Sequence, residues 1–163
     1  MSITRNNIIV GDVDWVKLNG TDIGATFDGV AVTKSREDFE HEVDQYLDAV
    51  DRTPTNYAQE VEFQMSEATL ANLYRVWNEK TLPTTNVLNL GMNTTINEFT
   101  LEFRGRAPGG LTTRTYYFYR AVPVDESSHA TKKDDRILYP VKFRIMPDIT
   151  KAEGSEYGFY LDA

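Results

Sequence analysis

The chain has 163 residues, a length typical of one domain. Hydrophobic residues make up 40% of it and charged residues 26%, with nine Tyr and eight Phe, which excludes a disordered protein. The absence of cysteine excludes disulfides, thiolate metal sites and thiol nucleophiles. Its apolar runs fall far short of the roughly 20 residues that span a bilayer, and the first ten residues lack the pattern of a secretory signal. We therefore expect a single domain, residues 1–163, without a membrane segment.

Charge is distributed unevenly along the chain. The formal net charge is −8, which disfavours binding to phosphate backbones. Residues 28–60 contain nine acids and three bases, a net −6, whereas residues 104–144 contain nine bases and four acids, a net +5. If the two segments lie on opposite faces, they attract copies of the chain to one another. If they lie side by side, they neutralise each other within one subunit.

Alternation of apolar and polar residues predicts strands in the first third of the chain. Residues 13–18 form the first, ended by Asn19-Gly20, a pair suited to a tight turn with positive φ. Residues 30–39 alternate as well, with a polar second half that predicts a strand projecting beyond the core. Residues 40–57 show neither the apolar spacing of a helix nor the alternation of a strand, so we predict a long loop there. Loops of that length inside compact domains are usually functional.

The remaining two thirds predict one helix and four further strands. Val61, Phe63 and Met65 alternate with polar residues and should form the buried face of a strand. Ser66 is suited to cap a helix of about three turns. Apolar residues follow at the spacing of an amphipathic helix, namely Leu70, Leu73, Tyr74 and Trp77. Strands are predicted over 99–103, 115–124 and 141–145, and an extended tail over 151–163. This pattern predicts a mainly β fold, an antiparallel β-sandwich or barrel flanked by one α-helix.

Catalytic and cofactor-binding patterns are missing from the sequence. His41 and His129 lie among polar residues without metal-binding spacing, so we expect both to be solvated. The acid pairs at 37–38 and 134–135 are expected to be solvated rather than an acid–base pair. Phosphate-binding glycine loops and nucleophile elbows are absent. We expect no enzymatic activity, no cofactor and no metal.

Three segments of the chain, which occur along it in the order expected for the family, resemble the tail tube proteins of long-tailed bacteriophages. The first is VDQYLDAVDRTPTNYAQEVEFQMSEATLANLY, residues 43–74, with Asp44-Gln45, a loop around Pro54, the strand 61–65, and Glu67 before Thr69-Leu70. The second, GDVDWVKLNGTDIGATFDGV, resembles the opening strand and turn of that family. The third, YPVKFRIMPD, resembles its closing strand. Together they hold 62 of the 163 residues and extend from residue 11 to residue 148.

The resemblance implies a structural virion protein. Members of the family have a small β-sandwich flanked by a helix, form sixfold rings and stack head to tail into a tube that conducts viral DNA. The inner wall is a barrel built from strands of all subunits, and the long loop reaches into the next ring. Implied partners are copies of itself, other tail proteins (tape measure, terminator, baseplate) and passing double-stranded DNA bound without sequence specificity, with no membrane. The implied location is the virion tail, assembled in the host cytoplasm.

Two sets of residues are predicted to serve this assembly. The set predicted to line the lumen is Glu60, Glu62 and Gln64 with Thr33, Ser35 and Glu37. An acidic wall would repel DNA and let it slide; the alternative is that this polar face meets outside solvent. The set predicted for ring stacking is Asp44, Asp48, Asp51 and Arg52, facing Arg104 or Arg106 of a neighbour. The alternative is a solvated loop.

Two other functions remain open at this point. A tube-capping or baseplate protein would form one ring and stop. A carbohydrate-binding β-sandwich would use Trp15 or Tyr157 as a stacking platform.

Overall fold

The computed structural model describes residues 13–42, 44, 51–109, 111–124 and 137–163. In this part of the chain, eight strands form one antiparallel sheet and a single short helix accompanies it, which confirms the mainly β prediction. The elements are β1 Val13–Leu18, β2 Thr21–Asp22, β3 Thr26–His41, β4 Asp51–Met65, α1 Leu70–Val76, β5 Phe99–Arg106, β6 Thr113–Pro123, β7 Tyr139–Met146 and β8 Gly158–Asp162. In these described ranges no helix has the length and apolar character needed to cross a membrane.

The strand order is β2-β1-β5-β6-β7-β4-β3, and β8 pairs with the part of β6 that β7 leaves free. The sheet curls so strongly that residues of β1 and β3 come within 8 Å of each other, measured between Cα atoms. The curled sheet therefore has an inner face, which encloses the core, and an outer face.

The inner face is built by the predicted alternation. Val61, Phe63 and Met65 of β4 are all buried, as expected. Their neighbours across the sheet are Val16 and Leu18 of β1, Leu101 and Phe103 of β5, Phe118 of β6, and Val141, Phe143 and Ile145 of β7. Phe63 and Phe143 stack with ring centroids 6.3 Å apart. Removing these side chains from water is the main force that holds the sheet curled.

Two tight turns fix the path of the chain at one end of the sheet. Asn19 and Gly20 have φ values of 50° and 75°, as their sequence predicts, and Asn19 Oδ1 accepts a hydrogen bond from Thr100 N at 2.7 Å. Gly24 has φ of 85°, and a Cβ there would lie 2.4 Å from the Glu67 carboxylate. That carboxylate accepts a hydrogen bond from Ala25 N, so the close approach ties the segment before α1 to the sheet.

The helix begins later and is shorter than predicted. Thr69, not Ser66, is its N-cap, and the Thr69 hydroxyl accepts a hydrogen bond from Asn72 N. Ser66 N instead donates to Ala25 O at 2.9 Å, which attaches residue 66 to the sheet, and residues 67–69 are not helical. The helix ends at Val76 because Trp77 leaves helical geometry and Asn78 takes a positive φ of 55°. The prediction of three turns from Ser66 was therefore wrong.

The predicted loop over 40–57 was wrong at both of its ends. Residues 40–41 continue β3, and residues 51–57 belong to β4. These residues are ordered by pairing between β3 and β4, although their sequence shows no alternation. Pro54 is tolerated in β4 because it lies beside a β-bulge, where the register shifts between Glu37 and Asp38. The predicted extended tail likewise ends in β8, which pairs with β6 and is held by the ion pair between Arg114 and Asp162.

The amide of Asn72 connects α1 to the sheet, and its removal should destabilise the fold. Asn72 is buried, and its Nδ2 donates to Ile23 O at 2.9 Å and to Glu67 O at 3.0 Å. Replacing it by Ala leaves a buried carbonyl unpaired, so we expect a loss of about 1–3 kcal/mol in the free energy of unfolding. Chemical denaturation measures the change. The exposed Asn86→Ala variant is the control and should stay within about 0.5 kcal/mol of wild type; equal stability of the two variants would contradict this role of Asn72.

Candidate functional site

The hairpin of β3 and β4 extends well beyond the rest of the sheet. Strand β4 pairs with β7 only from Gln59 to Met65, so residues 51–58 have a strand partner on the β3 side alone. We call residues 33–41 together with 51–57 the arm. Every side chain of the arm is exposed except that of Asp38, which is half-buried. At its base, Tyr57 and Lys34 contact the rings of Tyr157 and Tyr160. Beyond these contacts, and among the described residues, the arm is a two-stranded ribbon without a third strand beside it.

The side-chain contacts within the arm join residues of its own two strands. Arg36 binds Asp38 at 2.7 Å, and Arg52 binds Glu40 across the strands at 2.7 Å. At the bulge, the Thr55 hydroxyl donates to Glu37 O at 3.1 Å. Exposed ion pairs of this kind contribute little to stability, typically about 0–1 kcal/mol. Phe39 remains 58% exposed near the end of the arm.

The six residues predicted to line a lumen share one face of the sheet. Thr33 lies directly opposite Glu60, and residues opposite each other in an antiparallel pair point to the same side. The same register puts Ala31 opposite Glu62 and Phe27 opposite Gln64, while Ser35 and Glu37 follow at two-residue steps. This is the outer face of β3 and β4, since Val61 and Phe63 point inward.

Basic residues of β7 accompany the acids on that face. Glu60 pairs across the strands with Arg144, and Glu62 with Lys142. Lys142 Nζ lies 2.7 Å from Glu60 Oε2 and 2.9 Å from Glu62 Oε1. Hydrogen bonds to both carboxylates raise the pKa of Lys142 above its ordinary value. The face is therefore mixed in charge where these strands meet, and an acidic wall was the wrong expectation there. Of the two interpretations of the charged segments, neutralisation within one subunit holds for these residues.

The same outer face carries a broad open groove. Its volume is about 590 Å³, and Phe27, Ala31, Glu62, Gln64 and Lys142 contribute to its lining. The bulge at Asp28-Gly29, where both residues take positive φ, shapes one end of it.

The residues predicted for ring stacking do not form one cluster. Asp44 is exposed in a turn, and Asp51 and Arg52 begin β4 at the far end of the arm. Arg104 pairs with Asp14 of its own subunit at 2.9 Å and lies over the ring of Trp15. Because Arg104 already has this partner, it is a weaker candidate for contact with a neighbour than the sequence indicated. Arg106 is exposed at the end of β5, and Asp48 lies outside the described residues.

The other sequence candidates are used in local contacts. Lys17 and Arg104 both lie over the Trp15 ring, and Tyr157 packs on Tyr57 with ring centroids 4.8 Å apart. His41 Nε2 is hydrogen-bonded to Thr53 Oγ1 at 2.8 Å on the exposed arm. Adjacent on one strand, Glu37 and Asp38 point to opposite faces. His129 and the acid pair at 134–135 lie outside the described residues. In the described part of the chain, no three His, Asp or Glu side chains are grouped as metal ligands.

Sequence reasoning overlooked a feature after α1. Residues 81–97 contain no charged residue, and large apolar side chains there are more than half exposed: Leu82, Val87, Leu90, Met92 and Ile96. The signal was available in the sequence as a charge-free stretch in a chain with 26% charged residues.

Removing the Lys142 ammonium should destabilise the outer face through repulsion between Glu60 and Glu62. We expect Lys142→Met to have a lower thermal midpoint than wild type at low salt, with a smaller difference in about 1 M salt because screening weakens the repulsion. The raised pKa of Lys142 means that its contribution is complete below the ordinary lysine pKa of about 10.4 and is lost as pH rises through the folded-state value.

Thermal unfolding at several pH values measures this effect. The variant and wild type should converge at strongly alkaline pH. The control is Lys80→Met, at an exposed lysine after α1. A Lys142→Met midpoint that does not respond to salt would show that the two ion pairs have no energetic role.

Comparison with known protein families finds no family model that matches this chain, and comparison with curated protein sequences finds no match either.

Proposed function

We propose that this protein is a structural subunit that assembles with copies of itself into rings, and that the rings stack into a hollow tube like that of a phage tail. The observation that carries the proposal is the arm, a two-stranded ribbon that extends past the core with its side chains exposed. Its activity in this proposal is mechanical: it forms the conduit for viral DNA.

The arm is poorly stabilised by its own subunit. An isolated two-stranded hairpin is at best marginally stable in water, and three or more strands or a covering helix are needed for independent stability. Strand β3 runs from Thr26 to His41, and no strand in the described ranges pairs with its outer edge. Such an edge is a template for pairing with another chain. A neighbouring copy would supply the missing strand partner.

Self-association is favoured because, among the residues that the structure describes, the sheet has an open edge on both sides. Strand β3 ends the sheet on one side, and on the other side β1 is covered only by the two-residue β2. When one edge of a subunit binds the other edge of the next subunit, the contact is head to tail. Repeating such a contact gives a closed ring or an open filament, depending on the rotation between successive copies. The ordered resemblance to tail tube proteins favours rings that stack.

The outer face of β3 and β4 is the surface we assign to the inner wall of the tube. Its six polar residues, Thr33, Ser35, Glu37, Glu60, Glu62 and Gln64, share one face. With Lys142 and Arg144 beside the acids, this wall holds both charge signs close together. The two acids balance Lys142 and Arg144 in formal charge, so this part of the wall would attract DNA weakly, which suits a conduit.

Negative-stain electron microscopy of the purified protein at high concentration tests the proposal. Hollow tubes are the expected result. Discrete rings that do not stack would favour a tube-capping or baseplate protein, and monomers at every concentration would refute self-assembly.

A shortened-arm variant tests whether the arm drives assembly. An Asn-Gly turn that joins Arg36 directly to Tyr57, which lie opposite each other, removes the far part of the arm and preserves the register. We expect the domain to keep its thermal midpoint, because the deleted residues have no core contact, and to require at least about tenfold more protein to assemble, a loss of about 1.4 kcal/mol.

Sedimentation velocity measures assembly in parallel with thermal unfolding. A matched control is Ile149→Glu, which alters an apolar side chain that is 86% exposed elsewhere on the surface and should assemble normally. Unchanged assembly of the shortened-arm variant would remove the arm from the account.

A further inference from the structure

The charge-free stretch after α1 carries several exposed apolar side chains. We call residues 81–97 the neutral loop, because each of them is apolar or is Thr, Asn, Gly or Pro. Five of its large apolar side chains are between 52% and 87% exposed: Leu82, Val87, Leu90, Met92 and Ile96. Clusters of exposed apolar side chains on a soluble protein commonly mark an interaction surface.

Hydrogen bonds attach the neutral loop to the residues that follow α1. Asn97 N donates to Asn78 Oδ1 at 2.7 Å, and Asn93 Nδ2 donates to Asn78 O at 3.0 Å. Gly91 N donates to the carboxylate of Glu79 at 3.0 Å, and Glu79 is buried. The exposed apolar side chains are therefore carried by a segment that is attached to the domain at three of its residues.

The neutral loop differs in charge from other exposed apolar positions. Phe27, Phe39 and Leu161 are also exposed, but each of them directly precedes an acidic residue in the chain. Charged residues flank the neutral loop only at its borders, at Lys80 and Glu98. Between those borders no charged side chain of the loop itself has to be removed from water when its apolar side chains are buried.

This lack of charge suits a contact between two identical copies. The chain carries a formal net charge of −8, so two copies repel each other at long range. In a contact with two-fold symmetry the same surface is used by both copies, and a residue near the axis meets its own counterpart. A charged residue there would meet a like charge, which weakens the contact. A charge-free apolar loop avoids this repulsion.

The size of the neutral loop matches a small interface of this kind. Burying one large aliphatic side chain removes roughly 100 Å² of apolar surface from water, so the five partly exposed side chains offer roughly 300–350 Å². Two loops together offer roughly 600–700 Å² of apolar surface. Because interfaces are a little over half apolar, this corresponds to roughly 1,100–1,200 Å² in total, close to the lower bound of about 1,200 Å² for stable interfaces.

We propose that the neutral loops of two copies pack on each other across a two-fold axis. The contact uses no residue of the arm, and it ends with two copies because both copies use the same surface. The inference goes beyond the proposed tube. In a tube whose rings all point the same way, no two-fold axis relates neighbouring copies, so a pair must separate before its members join the tube. The pair is a form of the unassembled protein that restrains assembly.

Opposite charges placed in the neutral loop test this contact. One variant is Leu90→Glu with Met92→Glu, and the other is Leu90→Lys with Met92→Lys. Each alone should pair at least about tenfold more weakly than wild type, because like charges meet across the axis. An equimolar mixture of the two variants should restore pairing, because opposite charges then meet. Sedimentation equilibrium over a dilution series, below the concentration at which larger assemblies form, measures pairing.

Folding and specificity are controlled in the same series. Leu90 and Met92 are 70% and 87% exposed, so the thermal midpoints of both variants should stay near that of wild type. Ile149→Glu, at a side chain that is 86% exposed outside the loop, should pair like wild type. If a variant does not fold, Leu82→Glu with Ile96→Glu and its lysine counterpart take its place. Wild-type protein that stays monomeric, charged variants that pair like wild type, or a mixture that does not restore pairing overturns the proposal.

Microscopy of the same proteins separates this inference from the proposed function. Pairs without tubes at any concentration keep the inference and refute the tube, whereas tubes from protein that never pairs keep the tube and overturn the inference. Both charged variants should form tubes at no higher a concentration than wild type. A tube-forming concentration raised about tenfold in both variants would place the neutral loop in the tube contact and overturn the separate pair.

Discussion

The central constraint on this molecule is that its two longest strands extend further than its core. Strands β3 and β4 have 16 and 15 residues, but β4 pairs with β7 only from Gln59 onward. Past that point the hairpin has, among the described residues, no strand partner other than its own second strand, and beyond Tyr57 its side chains are exposed except for the half-buried Asp38. Such a ribbon is stabilised when a strand of a neighbouring chain pairs with its open edge. The arm, the open edges of the sheet and the proposed assembly all follow from this mismatch between strand length and core.

Electrostatics plays a different role from the one that net charge indicates. The chain carries −8 overall, yet acids of β4 and bases of β7 lie side by side on the outer face, with Lys142 shared by Glu60 and Glu62. Arg104 is held by Asp14, and Arg114 by Asp162. Because these bases are already matched within the subunit, they are not free to attract the acids of another copy.

Sequence periodicity predicted the parts of the fold that the core determines. The alternation in β4, the strand over 141–145 and the Asn19-Gly20 turn all follow from burial or from backbone geometry, which short sequence patterns encode. The far part of the arm could not be predicted in this way, because residues exposed on both faces show no alternation. The start of α1 was missed because two residues could cap the helix, Ser66 and Thr69, and the Thr69 hydroxyl is the one that accepts from Asn72 N. The pairing of Glu60 was missed because strand order, not sequence proximity, brings Lys142 alongside it.

The most direct test is amide hydrogen exchange of β3 measured as a function of protein concentration. No strand of the described part of the subunit pairs with the outer edge of β3 from Thr33 to His41, so in dilute protein those amides that point away from β4 should exchange rapidly. At concentrations where the protein associates, the account predicts strong protection of the same amides, while core amides such as that of Val61 stay protected throughout. Association with no change in exchange along β3 would contradict the claim that another copy completes this edge.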